Sequence, residues 1–365
     1  MKLTAAREDI LGPLQSVIGV VERRQTMPIL ANVLLSARDG RLSITGTDLE
    51  VELVASHEVA VQQPGDVTIP GRKLVDIFRS LPEQAAVSVT TEGDRATVRA
   101  GRSRFTLATL PAPEFPLVEE IDSQQQLTVA GAALRHLIDK THFSMAQQDV
   151  RYYLNGMLLE TDGKVLRAVA TDGHRLALCQ VELESPAKTN QQVIVPRKGV
   201  LELQRLLGSD GALQLTIGTN HVRAEIGDIR FTSKLIDGRF PEYSRVVPAG
   251  PSKIIEADRD ALRQTFQRTA ILSNEKYRGV RLSLKPQLLI VQAHNPEQEE
   301  AEDQLEVNYA GEELEIGFNV SYLLDALAAL AGDKVRIGLT DPNSSCLIDA
   351  PGVADAKYVV MPMRL

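Results

Sequence analysis

The chain has 365 residues, 43% hydrophobic and 24% charged, the composition of an ordinary globular protein of two or three domains. Its net charge of −8 opposes phosphate overall and excludes a protein that coats nucleic acid indiscriminately. Two distant cysteines, Cys179 and Cys346, with no CxxC and no clustered histidines, exclude a disulfide framework and signal no zinc site, so buried reduced thiols and no metal or cofactor are expected.

The opening MKLTAAREDI carries no apolar segment after its lysine, and the longest mostly apolar run, LLDALAALAG, is too short to span a bilayer. A cytoplasmic protein without a membrane partner is expected. Apolar spacing at Leu14, Val17, Ile18 and Val21 predicts a first helix, and Leu74, Ile77, Phe78 and Leu81 predict a second. Between them RLSITGT alternates as a strand entered through Asp39-Gly40, a pair that favours hairpin turns. The same order then recurs: helical spacing around Leu134, Leu137 and Ile138, a strand VLRAVAT after Asp162-Gly163, and helical spacing around Val200, Leu203 and Leu207. A third round places QLLIVQA before a helix at Val320, Leu323, Leu324 and Leu327.

This recurrence is a sequence repeat. Asn32 returns as Asn155, Thr47-Asp48 as Thr171-Asp172, Pro70 as Pro196 and Phe105-Thr106 as Phe231-Thr232, at offsets of 123 to 126 residues, with a weaker third copy from Ile255. Solenoid repeats run roughly 20 to 50 residues, whereas about 120 residues close a core of their own. The expectation is therefore an α+β chain of three tandem similar domains with antiparallel sheets, at 1–121, 127–246 and 253–365. Helix followed by strands occurs twice per copy, so each domain reads as a pair of half-domains.

Charge differs between the copies: −3 over 1–121, +1 over 122–250 and −6 over 251–365. Cations gather at Arg23-Arg24, at Arg72-Lys73 and Arg197-Lys198 opening equivalent helices, and at Arg135, Lys140, Arg263 and Arg268. Solvated helix faces are one reading; a basic lining that touches phosphates without reading bases is the other. The segment QQDVRYY at 147–153 joins amides, a cation and aromatic faces suited to backbone contact and stacking, or forms an edge strand with two packed tyrosines. Asp172 and His174 of TDGHRL are the strongest candidate for an acid and base pair of the kind a hydrolase uses. No nucleophile lies near them, copy one lacks the histidine, and no phosphate-cradling motif occurs. A three-domain regulator that reads DNA sequence is a further alternative.

The strings TDGHRLA, QDVRYYLNGM, FTSKLIDGRFPEY, SNEKYRGVRL, NPEQEEAE, GFNVSY and YVVMPMRL together resemble the bacterial beta sliding clamps, processivity subunits of DNA polymerase III, from the first residue to the last. The resemblance implies a non-catalytic, nucleoid-associated DNA-clamp fold: a ring closed as a head-to-tail homodimer, helices lining a central hole, sheets outside, sliding on encircled duplex DNA. It implies DNA contacts at Arg24, Arg72, Gln148, Tyr152, Tyr153, Arg197 and Lys198, although the helix from Val320 to Leu330 holds Asp325 and no cation. It implies a dimer interface in which Phe105 and Leu107 pack on Ile271 and Leu272, with Lys73, Arg102 and Arg104 facing the acids Glu297, Glu299 and Glu302. Read without it, the acidic run is a solvated surface. Polymerase subunits, the clamp loader and repair proteins are expected to dock by short linear motifs in a cleft of Leu154, Thr171, Gly173, His174, Arg175, Leu176, Pro241, Arg245, Val246, Asn319, Tyr322, Ser345, Val359, Val360, Met361, Pro362, Met363 and Arg364. Methionine suits varied ligands, and aliphatic walls with a few polar groups suit peptides. Asn343 stands where a small apolar residue is expected.

Overall fold

The structure, a computed structural model, describes residues 1–21, 27–118, 120–208 and 211–364, and among these it has six α-helices and four antiparallel sheets. The helices are α1 (Arg7–Val17), α2 (Gly71–Ser80), α3 (Gly131–Thr141), α4 (Arg197–Leu206), α5 (Arg259–Thr269) and α6 (Val320–Ala329). Their starts follow from local chemistry. Asp9 accepts from the Ala6 amide at 3.0 Å, Asp258 from Ala261 at 2.9 Å and Asn319 from Ser321 at 2.9 Å, each closing an otherwise open helix N-terminus. The apolar stripe expected through Val21 outruns its helix: α1 ends at Val17, and Ile18–Val20 tighten into a 3-10 turn.

Contacts divide the chain into two units, Met1–Leu134 with Lys198–Leu235, and Arg135–Arg197 with Ile236–Leu365. In the first, a five-stranded sheet runs Ala60–Gln63, Lys2–Ala6, Ala86–Glu92, Arg95–Ala100, Ser103–Ala108. Its eight-stranded sheet runs Ser123–Ala130, Ala212–Gly218, His221–Ile226, Ile229–Lys234, Val51–Glu58, Arg41–Thr47, Asn32–Arg38, Gly65–Pro70. Arg38 pairs with Arg41 across Asp39 and Gly40, both at positive φ, so the Asp-Gly pair forms the tight hairpin that its backbone freedom favours.

In the second unit, an eight-stranded sheet runs Gln191–Pro196, Gly156–Asp162, Val165–Thr171, Arg175–Glu182, Val353–Val360, Cys346–Ala350, Lys334–Leu339, Lys253–Asp258. A four-stranded sheet runs Glu300–Glu306, Leu288–His294, Gly279–Lys285, Leu314–Asn319.

The half-domains exchange strands. Each consists of a lead strand, a helix and a three-stranded meander, and each lead strand pairs with the meander of the other half: Lys2–Ala6 joins Ala86–Glu92, while Gly65–Pro70 joins Asn32–Arg38. The eight-stranded sheets are two such groups joined edge to edge. Ile229–Lys234 of copy two meets Val51–Glu58 of copy one, and Val353–Val360 of copy three meets Arg175–Glu182 of copy two. Joining edges this way hides strands that would otherwise template aggregation.

Glu52 lies on the first of these seams, opposite Thr232, and is 1% exposed. The Val118 amide donates to its Oε2 at 2.8 Å, but Oε1 has no hydrogen-bond partner among the described residues, and Arg230 is 3.8 Å away. Burial raises its pKa above the ordinary 4.5, against the opposing effects of the Val118 bond and of Arg230 and Arg223. A raised acid pKa means the native state holds the proton more tightly than the unfolded chain, so stability falls as pH rises through the ordinary carboxylate range. Glu52→Gln is therefore expected to gain Tm relative to the parent as pH goes from 4.5 to 7, by about 2–4 °C per 1 kcal/mol. A Tm difference independent of pH would contradict this origin.

Candidate functional site

The turn after the strand Val165–Thr171 organises one end of the second unit. Thr171 Oγ1 donates to the Arg175 carbonyl at 2.6 Å and accepts from Gly173, while Asp172 Oδ1 accepts from the His174 and Arg175 amides at 2.9 and 3.0 Å. Gly173 takes φ +88, and a Cβ there would lie 3.0 Å from the Arg151 guanidinium. Arg175 is the hub. Its Nε donates to Asp172 at 3.1 Å, Nη1 to Asp325 at 2.5 Å and Nη2 to the Phe143 carbonyl at 2.6 Å, and its guanidinium sits 4.4 Å from the Tyr322 ring centroid. Asp325, an acid on a helix expected to face DNA, is thus ion-paired with an Arg175 that it shares with Asp172.

From this turn an apolar face spreads across the sheet in register. Ile194 pairs with Leu158, Leu158 with Val169 and Val169 with Leu178; Leu176 pairs with Val359, and Val359 with Leu347. With Phe240 these residues form one cluster, flanked by Tyr153, Ile236, Tyr243, Val246 and Val247. Tyr243 pins the flanking segment. Its hydroxyl donates to Glu160 and accepts from Arg167 at 2.9 Å; burial, then the bond to Glu160, push its pKa up to about 12.

The expected cleft residues sort into three places. Leu176, Val246 and Val359 belong to the apolar cluster, while Leu154 and Val360 are buried in the framework beneath. The C-terminal segment is held alongside: the Met361 amide donates to the His174 carbonyl at 2.9 Å, the Met363 amide to Gly317 at 2.8 Å, and Ser345 Oγ to Met361 Sδ at 2.9 Å. Pro362 is half-buried, and Pro241, His174 and Arg245 are exposed. Met363 and Arg364 line a separate cavity of about 390 Å³ with Asn274, Tyr277 and His294, and Asn319 Nδ2 reaches the Tyr277 carbonyl at 3.3 Å. Asn343 is exposed in a turn that the Asp341 side chain closes by accepting from the Asn343 amide at 2.8 Å.

The residues expected to meet DNA differ in freedom. Arg24 lies outside the described residues. Gln148 is exposed at φ +55, and Tyr152 is 59% exposed, its ring edge-on to Tyr153 at 5.9 Å. Their loop is braced: Asn155 accepts from the Asp149 amide and donates to its carbonyl, both at 2.9 Å, and Arg151 holds the Asp149 carboxylate at 3.0 and 2.8 Å. Those bonds from Arg151 lower the Asp149 pKa to about 2. Arg72 and Lys198 are partly committed to the protein. Arg72 donates to the Val21 carbonyl at 2.9 Å, and Lys198 pairs with Asp48. Burial, then the charge of Arg175, lower the Arg197 pKa, and its Nη1 has no partner among the described residues.

Among the described residues each sheet is open and ends in two edge strands, two of which carry the residues expected at the dimer interface. Ser103–Ala108 closes the five-stranded sheet with Phe105 and Leu107 half-buried between exposed neighbours, beside exposed Arg102 and Arg104. Glu300–Glu306 closes the four-stranded sheet, with Glu297, Glu299 and Glu302 exposed. Ile271 is 76% exposed on the 3-10 turn after α5, next to half-buried Leu272. Lys73 is exposed on α2.

Residues 1–119, 128–242 and 244–364 match, in that order, the N-terminal, central and C-terminal domains of the DNA polymerase III beta subunit. The chain belongs to this family, the beta sliding clamps. It is 56% identical over 367 residues to the beta sliding clamp of Pseudomonas aeruginosa and 55% identical to that of Escherichia coli, each match covering 100% of both chains. A solved sliding clamp from Pseudomonas aeruginosa superposes with a TM-score of 0.98 at 55% identity, and pol III beta of Caulobacter crescentus with 0.96 at 42%, again over 100% of both chains.

A beta sliding clamp is a non-catalytic processivity factor, and this overturns the hydrolase alternative for Asp172 and His174. In the structure Asp172 is occupied in fixing its own turn. Sequence reasoning missed Leu158, Val169, Leu178, Ile194 and Phe240 as partners of the cleft residues. Strand alternation marked them as inward or outward, but only the register shows which strand lies beside which.

Proposed function

We propose that this sliding clamp encircles duplex DNA as a head-to-tail dimer, resides on the nucleoid, and tethers replication and repair proteins through the apolar face built on Leu176, Val246 and Val359. The pair of free strand edges with opposite charge carries this reading. Ser103–Ala108 presents arginines and an apolar pair, and Glu300–Glu306 with its preceding loop presents acids beside Ile271. One surface on one protomer complements a different surface on the next, the requirement for a heterologous interface that closes. Charge orients the encounter, and the apolar residues supply most of the affinity, since exposed ion pairs contribute only about 0–1 kcal/mol each.

DNA is then retained by topology. Weak phosphate contacts from Arg24, Arg72, Arg197 and Lys198, with Gln148, Tyr152 and Tyr153 at the loop, suffice for a ring that need only slide. The prior engagement of Arg72 and Lys198 supports weak contact. The test is loading onto nicked circular DNA by a clamp loader, followed by linearisation. Release on cutting, with poor binding to short linear duplexes, is the expected outcome; persistence would favour a sequence-reading DNA binder.

A further inference from the structure

Outside the surfaces above, one cluster of chemically competent side chains has no role in them. α3 carries His136 to the seam where copy two meets copy three. Cys179 on Arg175–Glu182 pairs in register with Ala356 on Val353–Val360, and Asp355 is the residue before Ala356. His136 Nε2 lies 2.7 Å from Asp355 Oδ2, and the donor atoms of His136, Cys179 and Asp355 all lie within 4.8 Å of one another. The thiol is buried, while the imidazole and carboxylate are 37% and 35% exposed, which leaves a way in from solvent.

A second observation points at the same spot. Tyr358, on the same strand as Asp355, is 2% exposed, and its hydroxyl has no hydrogen-bond partner among the described residues. Burial, then the nearness of Cys179 and Asp355, push the pKa of that hydroxyl up. A buried polar group without a partner is uncommon in a folded protein.

We propose that His136, Cys179 and Asp355 form a site for a divalent transition-metal ion of the zinc class, with the Tyr358 hydroxyl beside it. The donor set selects the metal. Calcium and magnesium take oxygen ligands, whereas zinc and cobalt accept imidazole, thiolate and carboxylate together. Three protein donors leave a fourth position for water. On binding, the Cys179 S–H bond breaks, its proton passes to solvent, and the sulfur lone pair goes to the metal; the Nε2 proton that His136 shares with Asp355 is released to solvent while Nδ1 carries the ring's remaining proton, so the freed Nε2 lone pair and the carboxylate each bind the metal, with no change in oxidation state. Burial, then the charge of Asp355, push the Cys179 thiol up to about 12, and the Lys140 ammonium, held by the Ala329 carbonyl, offsets this only in part while it repels the ion, so both limit affinity. A bound ion would fasten α3 and a strand of copy two to the last strand of copy three.

The experiment is titration of the untagged full-length protein with Co²⁺, followed by its visible bands and its thiolate-to-cobalt charge-transfer absorption. One equivalent with a charge-transfer band, displaced by Zn²⁺, is expected. Cys179→Ser should abolish the band and Cys346→Ser should retain it. His136→Gln and Asp355→Asn, changes at partly exposed side chains that preserve the fold, should each weaken binding at least tenfold. Absence of the band, its survival in Cys179→Ser, or unchanged affinity in His136→Gln would overturn the site.

Discussion

Ile271→Asp is expected to turn the dimer into monomers without unfolding the protomer. Ile271 is 76% exposed within a single chain, so the substitution costs the protomer little; surface changes usually fall within about 0.5 kcal/mol. In the proposed ring the same side chain is covered by Phe105 and Leu107 of the partner. Burying an aliphatic side chain contributes about 1.5–3 kcal/mol, and an unpaired carboxylate placed there adds a desolvation cost of at least about 1–3 kcal/mol. Together these raise Kd by roughly two to four orders of magnitude. Sedimentation at nanomolar concentration, paired with a thermal melt, measures both halves of the claim. A dimer that persists with an unchanged Kd would refute the assignment. Arg102→Glu combined with Arg104→Glu is expected to raise Kd less and to act mainly on the association rate, with an effect that shrinks as salt is added.

Removal of residues 361–365 is expected to abolish binding of client peptides while the dimer remains. The segment is held by two backbone hydrogen bonds, from Met361 to His174 and from Met363 to Gly317, and it lies beyond the last strand, Val353–Val360. Val359 and Val360 therefore keep their pairing with Leu176 and Arg175, and the sheet survives. What disappears is the methionine-bearing segment that follows Val360, an adaptable surface of the type that concentrates binding energy. A loss of about 100-fold or more in peptide affinity, about 2.7 kcal/mol, is the expected size. Fluorescence anisotropy with a labelled linear-motif peptide reads it, and retained affinity would remove these residues from the site.

The α+β class with its antiparallel sheets and three similar units was legible because its signals are local. Asp39-Gly40 encodes its own hairpin, and Leu74 and Phe78 mark the buried side of α2 from spacing alone. Partner choice was not legible. Nothing in the order of residues shows that Gly65–Pro70 bypasses its own meander for the preceding one, or that Phe231 faces Leu53 across a seam between copies. The candidate site divides in the same way. Residues carried by long recognisable strings, such as Arg175 and Met361, could be named from those strings, whereas Ile194 and Phe240 reach the cluster only through tertiary contact. Charge misled in places for a related reason. Lys198 and Arg72 read as free cations, yet each is engaged by a residue more than 50 positions away, Asp48 and Val21. His136, Cys179 and Asp355 are likewise scattered along the chain, so no spacing rule could have grouped them.

The seams between copies also bear on how such a molecule yields to force. At Val51–Glu58 with Ile229–Lys234, and at Arg175–Glu182 with Val353–Val360, successive copies are stitched by rows of backbone hydrogen bonds, so these joints are woven rather than hinged. Tension along the chain would have to shear several such bonds at once before either seam parted. The free margins at Ser103–Ala108 and Glu300–Glu306 have no such weave within the protomer. In the proposed ring the weakest fabric therefore lies at those margins, and opening there would leave both seams intact.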